Sequence, residues 1–304
     1  MCRLSPIRRP PSWSTAVMVT EAARWRRQMV RPVLDWYAAV EGVDAVMLGG
    51  STARGDADRW SDVEVGVFWQ RPPTTAERLA VDGAADVRLV NVDGPPWDDH
   101  LYLGAPRPDG LMVEVAHMLT QTVETALDEL LKGKPDGQVM QLAQGIIDGR
   151  EVIGPRAELV ARWQGRVATY PRDLALAVVR HNGNIEKFWR WQMFFERDNP
   201  LLVAREFVRM TNQLLNVLYA LNGRYCGHVL AFKRLDALDL PLAPPTLAAR
   251  VRAVFARPAP EGAQTLHDLI EETFDLVERH LPEVDVDLLR ATFRSDRKPV
   301  ESAD

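Results

Sequence analysis

Residues 47–68 read MLGGSTARGDADRWSDVEVGVF. An apolar run ends in two glycines and a serine, a short polar connection follows, and a second apolar run opens with two acids one residue apart. Side chains alternate faces along a strand, so Asp62 and Glu64 are expected on one face of the second run and Val63, Val65 and Val67 on the other. Two hard oxygen donors side by side on a rigid element suit magnesium, which takes one or two carboxylates together with substrate phosphates. Gly49 and Gly50 let a ligand come close to the backbone, and Ser51 can offer a hydroxyl and an amide to phosphate oxygens. Arg54 lies on the same turn, where a guanidinium can steady a departing pyrophosphate.

Upstream, Ala22, Trp25, Met29, Val33, Trp36 and Val40 recur at three- and four-residue steps, the period of a helix with one buried face. Thr20 can cap that helix and Gly42 can end it. Pro32 predicts a kink or a restart within it. Asp44–Leu48 reads as a buried strand, Thr74 with Glu77 as a capping box, and Asp86–Val92 as another strand. Pro95 and Pro96 break the chain. Leu111–Met118 is a strand interrupted by Glu114, a carboxylate expensive to bury without a partner or a metal. Helices are expected over Thr122–Leu131, roughly Gln138–Ile147 and Ala157–Trp163.

Near Thr169–Pro171 the strand pattern stops. The expected organisation is α+β: a mixed-sheet catalytic domain over residues 18–168, followed by an all-α helical bundle over 169–294. One helix is expected from Leu174 to about Arg197. A second has Asn199 as cap, Pro200 in its first turn and Gly223 at its end. Two more are expected before Val254 and between Thr265 and His280.

The 304 residues carry a net charge of −5, so the broad positive field of most nucleic-acid binders is missing and a nucleic-acid partner is disfavoured. Two cysteines, Cys2 and Cys226, cannot build a disulfide framework, which points to a reducing, cytoplasmic setting. No run is long and apolar enough for a membrane span, so no membrane partner is expected. The basic, proline-rich start at residues 1–13 reads as an extension beyond the fold.

The stretch GGSTARGDADRWSDVEV resembles the nucleotidyltransferase signature of the DNA polymerase beta superfamily, a GS turn followed about ten residues on by a D-x-[DE] pair. The resemblance implies that Gly50 and Ser51 hold the triphosphate, that Asp62, Glu64 and Glu114 bind two magnesium ions, and that Glu114 also activates the attacking group. Glu64 departs from the aspartate that many members carry. The helical second half is similar in layout to the small-molecule branch, which includes the kanamycin and lincosamide enzymes. By that likeness Lys233 would reach the nucleotide phosphates, and some relatives complete their sites across a homodimer.

The expected activity is transfer of AMP from ATP, or of another nucleotide from its triphosphate, to a hydroxyl of a small-molecule acceptor. A protein-modifying enzyme of toxin–antitoxin type and a non-catalytic nucleotide-binding module are the rivals. The interleaved aromatics Phe188, Trp189, Trp191, Phe194 and Phe195 are read as bundle packing before any pocket. His117 and His181 are read as structural before any role in proton transfer.

Overall fold

A computed structural model describes residues 19–82, 87–92, 97–105, 109–185, 190–226 and 240–295, with backbone alone at 89–92, 97 and 190–191. The architecture is α+β and divides into two compact units. The sheet unit holds the described residues of 10–129 together with Leu142–Thr169, and the helical unit holds Leu130–Gln141 and the chain from Tyr170 onward. The segment Leu130–Gln141, expected with the sheet, therefore packs with the helices. Gly133, at φ +87°, lies against Asp173 and Leu174, where a Cβ would come within 3.0 Å of the Asp173 Cβ.

The sheet is built from β1 (Val43–Leu48), β2 (Val63–Trp69), β3 (Val87–Val92), β4 (Trp97–Leu103), β5 (Leu111–Leu119) and β6 (Arg150–Ile153). Their order is β3-β4-β5-β2-β1-β6. The β2–β5 pair is parallel and every other neighbouring pair is antiparallel. Between the strands lie the short helices α2 (Gly50–Arg54) and α3 (Thr75–Leu79), and after β5 come α4 (Thr120–Leu131), α5 (Gly137–Asp148) and α6 (Glu158–Val167). One sheet face is covered by α1 (Glu21–Ala38), whose Val30, Val33, Leu34 and Tyr37 join Val63, Val65, Val67, Val113, Val115 and Leu101 in a core.

Thr20 caps α1 by accepting from the Ala23 amide at 3.0 Å. The helix continues through Pro32 without a break; proline and the residue four before it, Gln28, both face solvent, where the freed carbonyl can bond water. Its buried stripe is rotated from the expected one. Trp25 is 47 % exposed, whereas Arg26 is buried. The capping box at Thr74 and Glu77 is present.

Two strands escaped the sequence pattern. In β4 the core-facing positions are Asp99, Leu101 and Leu103, so a charged residue stands where alternation calls for an apolar one. Arg78 donates to Asp99 at 2.6 Å, and the Asp99 carboxylate also bonds His117 Nε2 at 3.0 Å. His117 Nδ1 accepts from the Trp69 indole N–H at 3.0 Å, which leaves the proton on Nε2. His117 is thus a structural residue with both ring nitrogens satisfied. The four-residue β6 pairs with β1 across a register shift.

The helical unit contains α7 (Arg172–Gly183), α8 (Arg190–Glu196), α9 (Pro200–Leu221), α10 (Leu247–Ala256), α11 (Ala259–His280) and α12 (Val286–Arg294). The single helix expected from Leu174 to Arg197 is two elements, since α7 ends at Gly183 with Asn184 outside the helical region at ψ 65°. α9 begins and ends where expected, with the Asn199 side chain accepting from Leu202 N and Gly223 at φ +64°. α12 was not anticipated, although Asp285 caps it and Val286, Leu289 and Phe293 bury one side of it. No helix among the described residues is long and apolar enough to cross a membrane.

Candidate active site

The turn and the acids come together through backbone geometry. β1 and β2 are antiparallel, with Leu48 opposite Val65, so the glycines after β1 meet the residues that open β2. Gly49 N–H donates to the Glu64 carbonyl at 2.8 Å. Gly50 has φ +59°, and a Cβ there would lie 2.0 Å from Oε2 of Glu64. The Glu64 carboxylate therefore lies directly over the turn. Only glycine supplies both the left-handed backbone and the space.

Glu114 joins from β5. In the parallel β2–β5 register, Glu64 pairs with Glu114, flanked by Val63 with Val113 and Val65 with Val115. The valines of these pairs are buried in the core, so the two glutamates share the opposite face on strands about 4.8 Å apart. Asp62, two residues before Glu64, falls on that face by alternation and is half-buried.

The loop that delivers Asp62 is held from α1, its cap Thr20 and α2. Thr20 Oγ1 donates to the Ala57 carbonyl at 2.7 Å, Arg26 Nε donates to the Ser61 carbonyl at 2.8 Å, and Thr52 Oγ1 donates to the Asp62 carbonyl at 3.4 Å. Arg27 donates to the carbonyls of Thr52 and Ala53 at 3.1 and 2.8 Å and so satisfies the end of α2. Arg26 and Arg27 were not singled out in the sequence, since neither belongs to the apolar stripe by which that helix was recognised.

β4 extends the face by one strand. His100 pairs with Glu114 and Asp98 with Ala116, so both lie on the acid-bearing side. Beyond the Glu64–Glu114 pair, Gly66 stands opposite Ala116, which keeps the surface beside the acids low. Burial raises the Glu114 pKa, nearby His100 lowers it, and Asp62 and Asp98 raise it again; the net direction is upward. Glu114 thus pays in desolvation and in repulsion from like charges, the condition that a cation on this face would relieve. His100 and Asp98 were missed because β4 was missed.

The remaining expected residues stand as follows. Ser51 is buried, with a relative exposure of 2 %, beneath the turn. Arg54 pairs with Asp56 and with Asp148, each at 3.4 Å, so its guanidinium is already engaged. Asp148 also accepts from Gln144 at 3.0 Å. His181 is exposed. Lys233, Phe188, Trp189 and the basic N-terminal stretch lie outside the described residues, and the Trp191 side chain is likewise undescribed.

In this conformation no three acidic, histidine or cysteine side chains among the described residues are gathered tightly enough to hold a metal ion. The donor chemistry nevertheless fits a hard divalent cation: three carboxylates on one face of adjacent strands, with the ionisation of Glu114 disfavoured chiefly by burial and further by Asp62.

No protein-family model matches the chain, and no curated protein matches it. Among solved structures it is similar to a nucleotidyltransferase-like protein from Exiguobacterium sibiricum 255-15, with 14% identity over 85% of this chain and 80% of that one, at a TM-score of 0.37. At that distance the likeness carries no statement about activity, which has to be argued from the side chains.

Proposed function

We propose that the protein is a metal-dependent nucleotidyltransferase that moves a nucleoside monophosphate, AMP from ATP, onto a hydroxyl of a small molecule and releases pyrophosphate. The observation that carries this reading is the in-register pairing of Glu64 with Glu114, with Asp62 two residues back on the same face and the Gly49–Gly50 turn in contact with Glu64. Acids and turn come from segments far apart in sequence and meet at one place.

Asp62, Glu64 and Glu114 would hold divalent magnesium, which supplies charge stabilisation to the attacking and leaving oxygens of the displacement. The acceptor oxygen forms a bond to the α-phosphorus while the bond from that phosphorus to pyrophosphate breaks. Glu114 takes the proton from the acceptor hydroxyl as the general base. Gly50 gives the triphosphate room beside the backbone once the Glu64 carboxylate turns away from it. Arg54 neutralises pyrophosphate, which requires it to exchange Asp148 or Asp56 for the leaving group.

The test is pyrophosphate release from each nucleoside triphosphate against a panel of hydroxylated small molecules. Asp62→Ala is expected to lose about a hundred- to a thousandfold in turnover, the scale of removing one charge-stabilising group, with an unchanged far-ultraviolet circular dichroism spectrum. Turnover near the parent rate in that variant overturns the assignment. Intact-mass measurement of lysate proteins after incubation with ATP separates a protein acceptor from a small one.

A further inference from the structure

The helical unit contains a second concave site, independent of the sheet and of the reaction proposed for it. A groove of about 420 Å³ lies between α8, the start of α9 and the junction of α10 with α11. This is within the range of about 300–1,000 Å³ typical of small-molecule sites. Four phenyl rings line it: Phe194 and Phe195 from α8, Phe207 from α9 and Phe255 from α10. Phe194 and Phe207 are buried, while Phe255 is 48 % exposed. Phe207 and Phe255 meet edge to face at 6.1 Å. Part of the aromatic run that the sequence offered as bundle packing thus opens onto a cavity.

The wall is tightly built. A Cβ at Gly262 of α11 would lie 2.4 Å from the Val254 carbonyl oxygen and 3.1 Å from the Phe207 ring, so the α10–α11 junction is pressed against α9 without slack. Asp198, at the lip, has a left-handed backbone with φ +46°, a conformation seldom adopted by non-glycine residues.

Two ionised groups also line the groove, the Asp198 carboxylate and the Arg257 guanidinium. Neither has a side-chain partner among the described residues, and they are not paired with each other. Most other arginines of this unit that line a contact are engaged: Arg172 with Glu283, Arg209 with Glu206 and Arg250 with Glu272. Opposite charges left apart at the mouth of an aromatic groove complement a ligand that carries both signs beside an aromatic body.

We infer that this groove binds an aromatic zwitterion, its ring among the four phenylalanines, its anionic group on Arg257 and its cationic group on Asp198. Three fluorescent probes with one naphthalene ring system test the assignment on the full-length protein: Nε-dansyl-lysine, which carries both charges, dansylglycine, which carries only the anion, and dansylcadaverine, which carries only the cation. The zwitterion is expected to bind at one site per chain and about fivefold more tightly than either singly charged probe, the scale of one exposed charge-assisted contact. Arg257→Ala should reduce its affinity to that of dansylcadaverine, and Asp198→Asn to that of dansylglycine. Ala204→Trp, at an exposed position of α9 that lines the groove, should abolish binding of all three probes while the variant unfolds at the parent's temperature.

Unchanged probe binding in Ala204→Trp overturns the proposal, as does equal affinity of the three probes for the parent protein or no binding at all. Failure here leaves the pyrophosphate assay unaffected, and loss of that activity in Asp62→Ala leaves probe binding unaffected.

Discussion

Gly50 is where conformation and chemistry are hardest to separate. Its positive φ and the 2.0 Å approach of Glu64 Oε2 to a hypothetical Cβ make Gly50→Ala doubly unfavourable. We expect a loss of about 1–3 kcal/mol in urea unfolding, the usual scale of a left-handed non-glycine residue with a displaced neighbour, together with loss of pyrophosphate release. Glu114 gives a second prediction at this scale. Its pKa is raised above the value of 4.5 for a free glutamate, chiefly by burial. A raised pKa makes the folded state favour the protonated form, so the contribution to stability is present below the unfolded value and is lost as pH rises through the folded one. In chelator, Glu114→Gln should match the parent near about pH 4 and unfold at higher urea than the parent near about pH 7. A parent that is the more stable at neutral pH would contradict this. The Gly49–Gly50 turn and the Asp62–Glu64 pair were legible in the sequence because their spacing is local, and Glu114 because it interrupts an apolar strand. The side chains that hold them, Arg26 above all, were not, since a buried arginine bonded to a carbonyl 35 residues away has no signature in helical periodicity.

Among the elements, β4 shows why patterns fail where partners are distant. Its inward Asp99 is satisfied by Arg78 from α3 and by His117 from β5, and neither contact can be read from the strand itself. Arg78→Met would leave Asp99, which has zero exposure, without its cation. A loss of about 3–5 kcal/mol is expected from urea unfolding, the scale of one partner removed from a buried pair. In the other unit, the buried Asn222 donates to the Leu218 and Leu242 carbonyls at 2.7 and 2.9 Å and accepts from the Leu242 amide at 2.9 Å. Asn222→Ala should lower stability by about 1–3 kcal/mol by stranding these groups. The α9 boundaries were readable because cap, proline and glycine are local signals; the end of α7 at Gly183 and Asn184 carries a comparable signal, which the aromatic run after it masked in the sequence.

For the whole molecule, the net charge of −5 and the gathering of Asp62, Glu64, Glu114 and Asp98 on one sheet face have a joint consequence. A divalent cation with a nucleotide, bound only by the folded state, should stabilise the parent by about 2.7 kcal/mol at a hundredfold excess over its dissociation constant. Thermal unfolding with magnesium and ATP is expected to move upward in the parent and to stay in place in Asp62→Ala. An equal shift in both proteins would place the nucleotide elsewhere. The α+β class was legible from the change of hydrophobic period near Tyr170. The membership of Leu130–Gln141 was not, because it depends on which surface that segment covers and not on its own pattern.

The parallel β2–β5 pair also governs when the proposed site can form. Glu64 and Glu114 stand opposite one another but are 50 residues apart in the chain (114 − 64), with β3 and β4 made in between. Closing so long a loop precedes any reward from the contact, and such pairings form slowly. During synthesis the nascent chain therefore carries its turn and first two acids well before it carries a site. A substitution in β3 or β4 that touches no acid should delay the appearance of activity on refolding more than it changes the final level.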